Sequence, residues 1–242
     1  MIYEPKGRAR EYAELACNLA VGCIHGCRYC YGPGQFRVPR QDWTVPLPKQ
    51  DWRRRFEKAA QKFAYDPREI LFSFATDPLG TIEQVEDLRI ALSISAAYGL
   101  HLTVLTKNPE AAAKFLPLFR AHDWRLGTTI CFLSEDLRAE WEPDAPSISS
   151  RIIGLRAARS AGVRTWISVE PVVEPIEALR AIASSREVAD EVRVGHWNHD
   201  ARAKAIDWKE FHRHAAEILG DKPHLFKHDL LVAAGAPDGG VR

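Results

Sequence analysis

Six short apolar runs, separated by amphipathic stretches, set the first limit on how this chain can fold. They are Leu15 to Ala20, Ile70 to Ala75 (ILFSFA), Leu102 to Thr106 (LTVLT), Leu126 to Phe132 (LGTTICF), Thr165 to Val169 (TWISV) and Glu191 to Val194 (EVRV). Their lengths and β-branched content read as buried strands. Helix signals lie between them. Asp51 precedes Trp52, Phe56, Ala59, Ala60 and Phe63 on one helical face, and Thr81 with Gln84 has capping-box spacing. Asn108 before Pro109 reads as a cap with proline at the first helical position, and Ile148 to Ala161 stops at Gly162. Pro175 opens another helix, and Asp207 with Glu210 opens a last one that closes at Gly220. Strands alternating with helices imply a parallel sheet covered by helices, as an open doubly wound sheet or a complete or partial β/α barrel. Both architectures gather active residues at the carboxyl ends of strands. The runs here end in FATDP, LTKNP, FLSED, SVEP and VGHWNHD, so one crowded polar face is expected.

At 242 residues, with no internal repeat and no Gly/Ser or charged linker, the chain reads as one domain over 1–242. Its core is expected at about 13–200, with a helical or extended C-terminal extension over 201–242. A net charge of +1 gives no electrostatic footprint for nucleic acid of the kind a strongly basic domain carries. Nucleic acid therefore stays a possible partner that the net charge does not support. The N-terminus lacks a secretory apolar core, and no apolar run reaches the ~18 residues of a membrane span, so a cytoplasmic protein without membrane association is expected.

Three of the five cysteines, Cys23, Cys27 and Cys30, fall within eight residues as C-x3-C-x2-C. That clustering is poor for a disulfide framework and good for thiolates holding a metal. A structural zinc site needs four protein ligands, whereas three thiolates on an iron-sulfur cubane leave one iron open to bind something else. His25 or Cys17 offers a fourth ligand for zinc. Cys17, on a strand, also reads as a small buried hydrophobe, and so does Cys131. Lys107 ends a strand on the polar face, where it can pair with a carboxylate, and Glu170 follows a buried strand, where it needs a cation or a ligand amine. His196, Trp197 and His199 at the last strand end are candidates for contact with substrate. His212, His214, His224 and His228 read as structural or exposed, and Arg53, Arg54 and Arg55 as a solvated helix face.

With Tyr29 just before its last cysteine, the C-x3-C-x2-C loop resembles the signature of the radical S-adenosylmethionine (SAM) superfamily. From about Ala13 to Leu231 the chain is similar to the spore photoproduct lyase-like, or DNA repair photolyase-like, group. The segments NLAVGCIHGCRYCYGP, ATDPLGTIE, VLTKNP and RIIGLRAARSAGVRTWISVEPVVEP carry that likeness. The resemblance implies an α/β fold, a partial six-stranded β/α barrel. It implies a [4Fe-4S] cluster on Cys23, Cys27 and Cys30, and SAM chelated at the open iron. It implies reductive cleavage of SAM to methionine and a 5'-deoxyadenosyl radical that abstracts hydrogen from a substrate. It further implies an external one-electron donor of flavodoxin or ferredoxin type. By position, Tyr29, Thr76, Asp77, Lys107, Thr129 and Glu170 are expected around the cofactor.

Two departures limit the likeness. The lyase carries its hydrogen-donor cysteine immediately before the threonine of the second-strand turn, where this chain has Ala75, so Cys131 and Tyr31 are left as candidate redox participants. Most of the region that the lyase carries ahead of its cysteines has no counterpart here. The substrate is therefore open among DNA, RNA, a peptide and a small metabolite. A non-catalytic iron-sulfur or zinc module, for redox sensing or docking, is the alternative.

Overall fold

In the computed structural model, which describes residues 1–237, the apolar runs become neighbours in one eight-stranded sheet. The ten strands among the described residues are β1 (Ile2–Tyr3), β2 (Leu15–Cys17), β3 (Ala20–Val21), β4 (Leu47–Pro48), β5 (Glu69–Phe72), β6 (His101–Thr106), β7 (Arg125–Thr129), β8 (Arg164–Val169), β9 (Glu191–Val194) and β10 (His224–Phe226). Their order in the large sheet is β1-β2-β5-β6-β7-β8-β9-β10, while β3 and β4 form a separate antiparallel pair. Within the large sheet, only β1 among the described strands runs antiparallel to its neighbour. Seven successive parallel strands, β2 and β5 to β10, thus make an α/β fold with a mostly parallel sheet, as the alternation implies, and its six expected strands are those of the partial barrel that the resemblance implies.

The expected strands end early where side chains take over the backbone partners. Asn18 accepts from the amides of Phe74 (2.8 Å) and Ala75 (3.0 Å), which stops β5 at Phe72 and separates β2 from β3. The amides of Leu133 and Ser134 turn to Glu177, beyond the end of β7. Thr81 and Asp207 cap their helices as their positions predict. Asn108 does not: its side chain donates to the carbonyl of Leu79, and Pro109–Phe115 is a 3-10 helix. The segment after residue 200 adds β10 to the same sheet. Among the described residues no helix is long and apolar enough to cross a membrane.

Alternation along the strands sorts two cores. Ile70 and Phe72 of β5 face the helices, together with Leu88, Leu92, Phe119 and Leu155. Leu71 points to the other face, where it meets Ala16 and Trp166. Trp166 fills that inner face, donating to the Thr103 hydroxyl at 3.0 Å. Gly127 makes room for it, since a Cβ there would lie 2.2 Å from the indole. The interior is plugged beneath the strand ends, and whatever binds must sit above Trp166.

Candidate functional site

Because the sheet strands other than β1 run the same way, their carboxyl ends share one rim. Residues that follow these strands line one cavity of about 610 Å³. They are Ser73 to Asp77 after β5, Thr106 and Lys107 at the end of β6, Thr129 of β7, Glu170 after β8, His196 to His199 after β9 and Lys227 after β10. Cys23, Cys27 and Cys30 line the same cavity, with Tyr29 and Tyr31. Of the residues expected at the site, only Cys131 does not; its fully buried thiol lies behind Tyr29, 3.9 Å from the hydroxyl.

The cysteine loop is held from several directions. Arg40 donates to the carbonyls of Cys27 (2.9 Å) and Cys30 (3.0 Å), and the Cys23 amide donates to Trp43 (2.7 Å). All five cysteines are free. Burial pushes the Cys23 thiol up to about 12, and pushes Cys27 well above the ordinary thiol value. These groups hold their protons at neutral pH, and a metal would have to displace them. Three thiols on one cavity wall suit a cluster with an open corner. A four-ligand zinc site on this loop is poorly served, because His25 is engaged elsewhere. Among the described residues no three His, Cys, Asp or Glu side chains converge to hold a single ion.

His25 belongs to Asp77. Its Nε2 lies 2.7 Å from the carboxylate, which also accepts from the Thr106 hydroxyl (2.6 Å) and from the amides of Lys107 (2.7 Å) and Leu79 (2.9 Å). Burial opposes the charge, but the His25 ring, the Thr106 hydroxyl and the Lys107 amide outweigh it and hold the carboxyl at about 2. Asp77 thus ties the cysteine loop to the ends of β5 and β6. A carboxyl whose pKa is lower in the folded than in the unfolded chain adds stability above its unfolded value near 4, and that stability fades as pH falls toward 2. Asp77→Asn should therefore lose about 1–3 kcal/mol at pH 7 and show a shallower loss between pH 4 and 2. Urea unfolding across that range checks both; a variant as stable as the parent at pH 7 would refute the assignment.

Lys107 points to a second buried group that sequence reading missed. Its Nζ lies 3.6 Å from Glu142 and above the Tyr29 ring, 5.6 Å from its centre. Glu142 is fully buried, ion-paired at 2.5 Å with the equally buried Arg151, and accepts from the Tyr29 hydroxyl. Burial opposes charge on both Lys107 and Glu142, yet their mutual attraction prevails: the lysine titrates above its ordinary range and the carboxyl below. Arg151 also donates to the carbonyls of Thr129 (3.1 Å) and Pro146 (2.8 Å), anchoring the end of β7.

On the opposite side Glu170 finds the cation its burial demanded, from an unexpected place. Lys227, beyond the last expected strand, pairs with it, and the Tyr12 hydroxyl donates to the same carboxylate. Gly195 leaves space for that side chain, since a Cβ there would lie 2.3 Å from the Glu170 carboxyl carbon. Burial lowers the Lys227 pKa despite the carboxylate. The Thr76 hydroxyl accepts from Gln84 at 2.5 Å. His196 packs on Trp208 with ring centres 4.2 Å apart, Trp197 is buried edge-on to Trp141, and His199 stands exposed at the rim. Tyr31 is 48% exposed at the mouth. The chain therefore brings together thirteen of the fourteen expected site residues, and adds Tyr12, His25, Glu142, Arg151 and Lys227.

The family model described as the radical SAM superfamily matches residues 17–189, more than half of the chain. Among curated proteins, the uncharacterized protein MJ0683 of Methanocaldococcus jannaschii is 21% identical over 173 residues, which is 66% of this chain and 61% of that protein. Among solved structures, spore photoproduct lyase complexed with dinucleoside spore photoproduct gives a TM-score of 0.64 at 18% identity, over 90% of this chain and 64% of that one. A mutant of that lyase with bound AdoMet and dinucleoside spore photoproduct gives 0.63 at 18% identity, over 92% and 64%. Streptococcus suis SuiB bound to S-adenosylmethionine gives 0.60 at 13% identity, over 90% and 51%. The chain spans less than two thirds of the length of each of these proteins, and at these identities the structural likeness is one of fold.

Proposed function

The chain belongs to the radical SAM superfamily of enzymes, and from that premise we propose that Cys23, Cys27 and Cys30 hold a [4Fe-4S] cluster beside a bound SAM. The observation that carries this reading is the placement of three free thiols on the wall of the cavity that the strand ends line. The AdoMet or S-adenosylmethionine bound in two of the structural neighbours supports it. When bound, the cluster would supply one electron to SAM, releasing a 5'-deoxyadenosyl radical for hydrogen abstraction.

The chain's own residues do the binding and positioning. Lys107 presents an ammonium to the carboxylate of the ligand, held charged by Glu142. Asp77, with its oxygens already occupied by protein donors, acts through position: it keeps the cysteine loop and the Lys107 backbone in register. Thr76 and Thr129 offer hydroxyls on the cavity wall, and Tyr29 covers the buried charges behind the thiols. Glu170 with Tyr12 and Lys227 forms the far wall, where His196, Trp197 and His199 meet the substrate. Ala75 lines the cavity without a transferable hydrogen, so the lyase cycle is not closed here by a thiol at that position. Tyr31 reaches the cavity and Cys131 does not, which makes Tyr31 the better placed redox participant.

Anaerobically reconstituted protein, given dithionite and SAM, is expected to form 5'-deoxyadenosine. A protein that binds about four irons yet never cleaves SAM would overturn the reading, and a colourless protein with one zinc per chain would establish the docking or redox-sensing module instead.

A further inference from the structure

One turn of helix after the cysteine loop, Arg40–Trp43, reaches the backbone of all three cysteines. The Arg40 guanidinium donates through Nη1 to the Cys27 carbonyl (2.9 Å) and through Nη2 to the Cys30 carbonyl (3.0 Å), while the Trp43 carbonyl accepts from the Cys23 amide (2.7 Å). The turn is anchored by its own tryptophan: Trp43 is buried and packs on Phe36 with ring centres 5.5 Å apart. The amides of Asp42 and Trp43 both donate to the Pro39 carbonyl at 3.0 Å, which fixes where the Arg40 side chain leaves the backbone. Arg40 is not among the residues that line the cavity, so its effect on a bound group is exerted through the cysteines.

Resting on the cluster reading above, we propose that Arg40 is a positioning residue whose charge raises the reduction potential of a cluster held by Cys23, Cys27 and Cys30. Taking up one electron adds one negative charge to the cluster, and a cation nearby favours the more negative state. Two features select Arg40 for this effect. Its charge is not spent on a carboxylate: Arg28 pairs with Glu140 and Lys107 with Glu142, whereas the hydrogen bonds of Arg40 among the described residues go to the two cysteine carbonyls. Those carbonyls belong to the cysteines themselves, and their oxygens are the negative ends of peptide dipoles. A charge-assisted bond to each draws that density toward the guanidinium, whose fixed fork suits two acceptors at once. A residue that only held the loop in shape would need its donors and not its charge. The electron comes from a low-potential one-electron reductant, which is oxidised as the cluster is reduced, and no bond is made or broken at Arg40.

The test is an anaerobic dithionite titration of the reconstituted full chain without SAM, followed by cluster absorbance and electron paramagnetic resonance, for the parent, Arg40→Lys, Arg40→Gln and Arg40→Met. At the parental midpoint, the ratio of reduced to oxidised cluster is expected to fall about threefold to tenfold in the two neutral variants, tenfold being ~59 mV for one electron. Arg40→Lys keeps the charge and should stay near the parental ratio, and iron content should match the parent throughout. A midpoint unchanged in the neutral variants overturns the proposal. So does a shift in Arg40→Lys as large as that in Arg40→Gln, which would assign Arg40 to loop geometry alone. If one neutral variant loses its iron, the other decides; loss of iron from both would make Arg40 a determinant of cluster assembly and would overturn the proposal as well. A parent chain that assembles no cluster fails earlier, on the reading of the cavity itself.

Discussion

Cys27→Ala is expected to abolish both the cluster and SAM cleavage, while leaving the fold in place. Cys27 is the middle cysteine of the loop and the most buried of the three, 8% exposed, on a cavity wall close to Lys107. Without it, two thiols remain on a loop that offers no replacement, because His25 is spent on Asp77 and Cys131 is closed off behind Tyr29. The loss in SAM cleavage should exceed the roughly 10–100-fold that removal of an outer partner of a metal ligand costs. Alanine removes one heavy atom from a site that the rest of the loop defines, so stability should change by only about 1 kcal/mol. Iron analysis, the visible spectrum and 5'-deoxyadenosine formation measure the first effect, and thermal unfolding measures the second. A variant that retained a cluster and cleaved SAM would remove Cys27 from the ligand set.

The second large effect falls on stability. Glu142→Gln keeps the shape of the side chain and removes its charge, leaving Arg151 and Lys107 as buried cations without their carboxylate. Breaking a buried pair from one side costs about 3–5 kcal/mol, and in a chain of this length that lowers the melting temperature on the order of 10 °C. The effect should persist in high salt, since buried pairs are poorly screened. Glu217→Gln supplies the contrast: its pair with Arg213, at 2.8 Å, is exposed on both sides, and its loss should cost less than ~1 kcal/mol. Melting curves for the two variants at low and high salt separate the cases. Equal and small losses in both would show that Glu142 is not needed to neutralise its neighbours.

The two ion-pair groups also mark how far the site was legible before the fold was known. Cys23, Cys27 and Cys30 announce themselves because their spacing is local: eight residues contain the whole C-x3-C-x2-C pattern. Lys107, Asp77 and Glu170 could be placed on one face because each ends a strand, and parallel strands end together. Glu142 and Arg151 carry no such signal. Arg151 sits within an expected helix, where an arginine is normally placed toward solvent, yet it is fully buried because it turns to Glu142, Pro146 and Thr129. Lys227 lies in what looked like a C-terminal extension, and its position depends on β10, a three-residue strand too short to show a period. The same brevity hides β1. The expected strand ends were too long at β5 because nothing local reveals that Asn18, more than fifty residues earlier, would take the amides of Phe74 and Ala75.

What the sequence determined by itself is what short-range pattern can encode. That comprises six of the parallel strands, their helices, the shared rim of their carboxyl ends and a loop with three cysteines. Tertiary structure decided which charges face one another. It gave Asp77 to His25, Glu142 to Lys107 and Arg151, and Glu170 to Tyr12 and Lys227. The physical reason is desolvation: a buried charge must find its partner wherever the packed chain supplies one, and that partner's distance along the sequence plays no part in the energy.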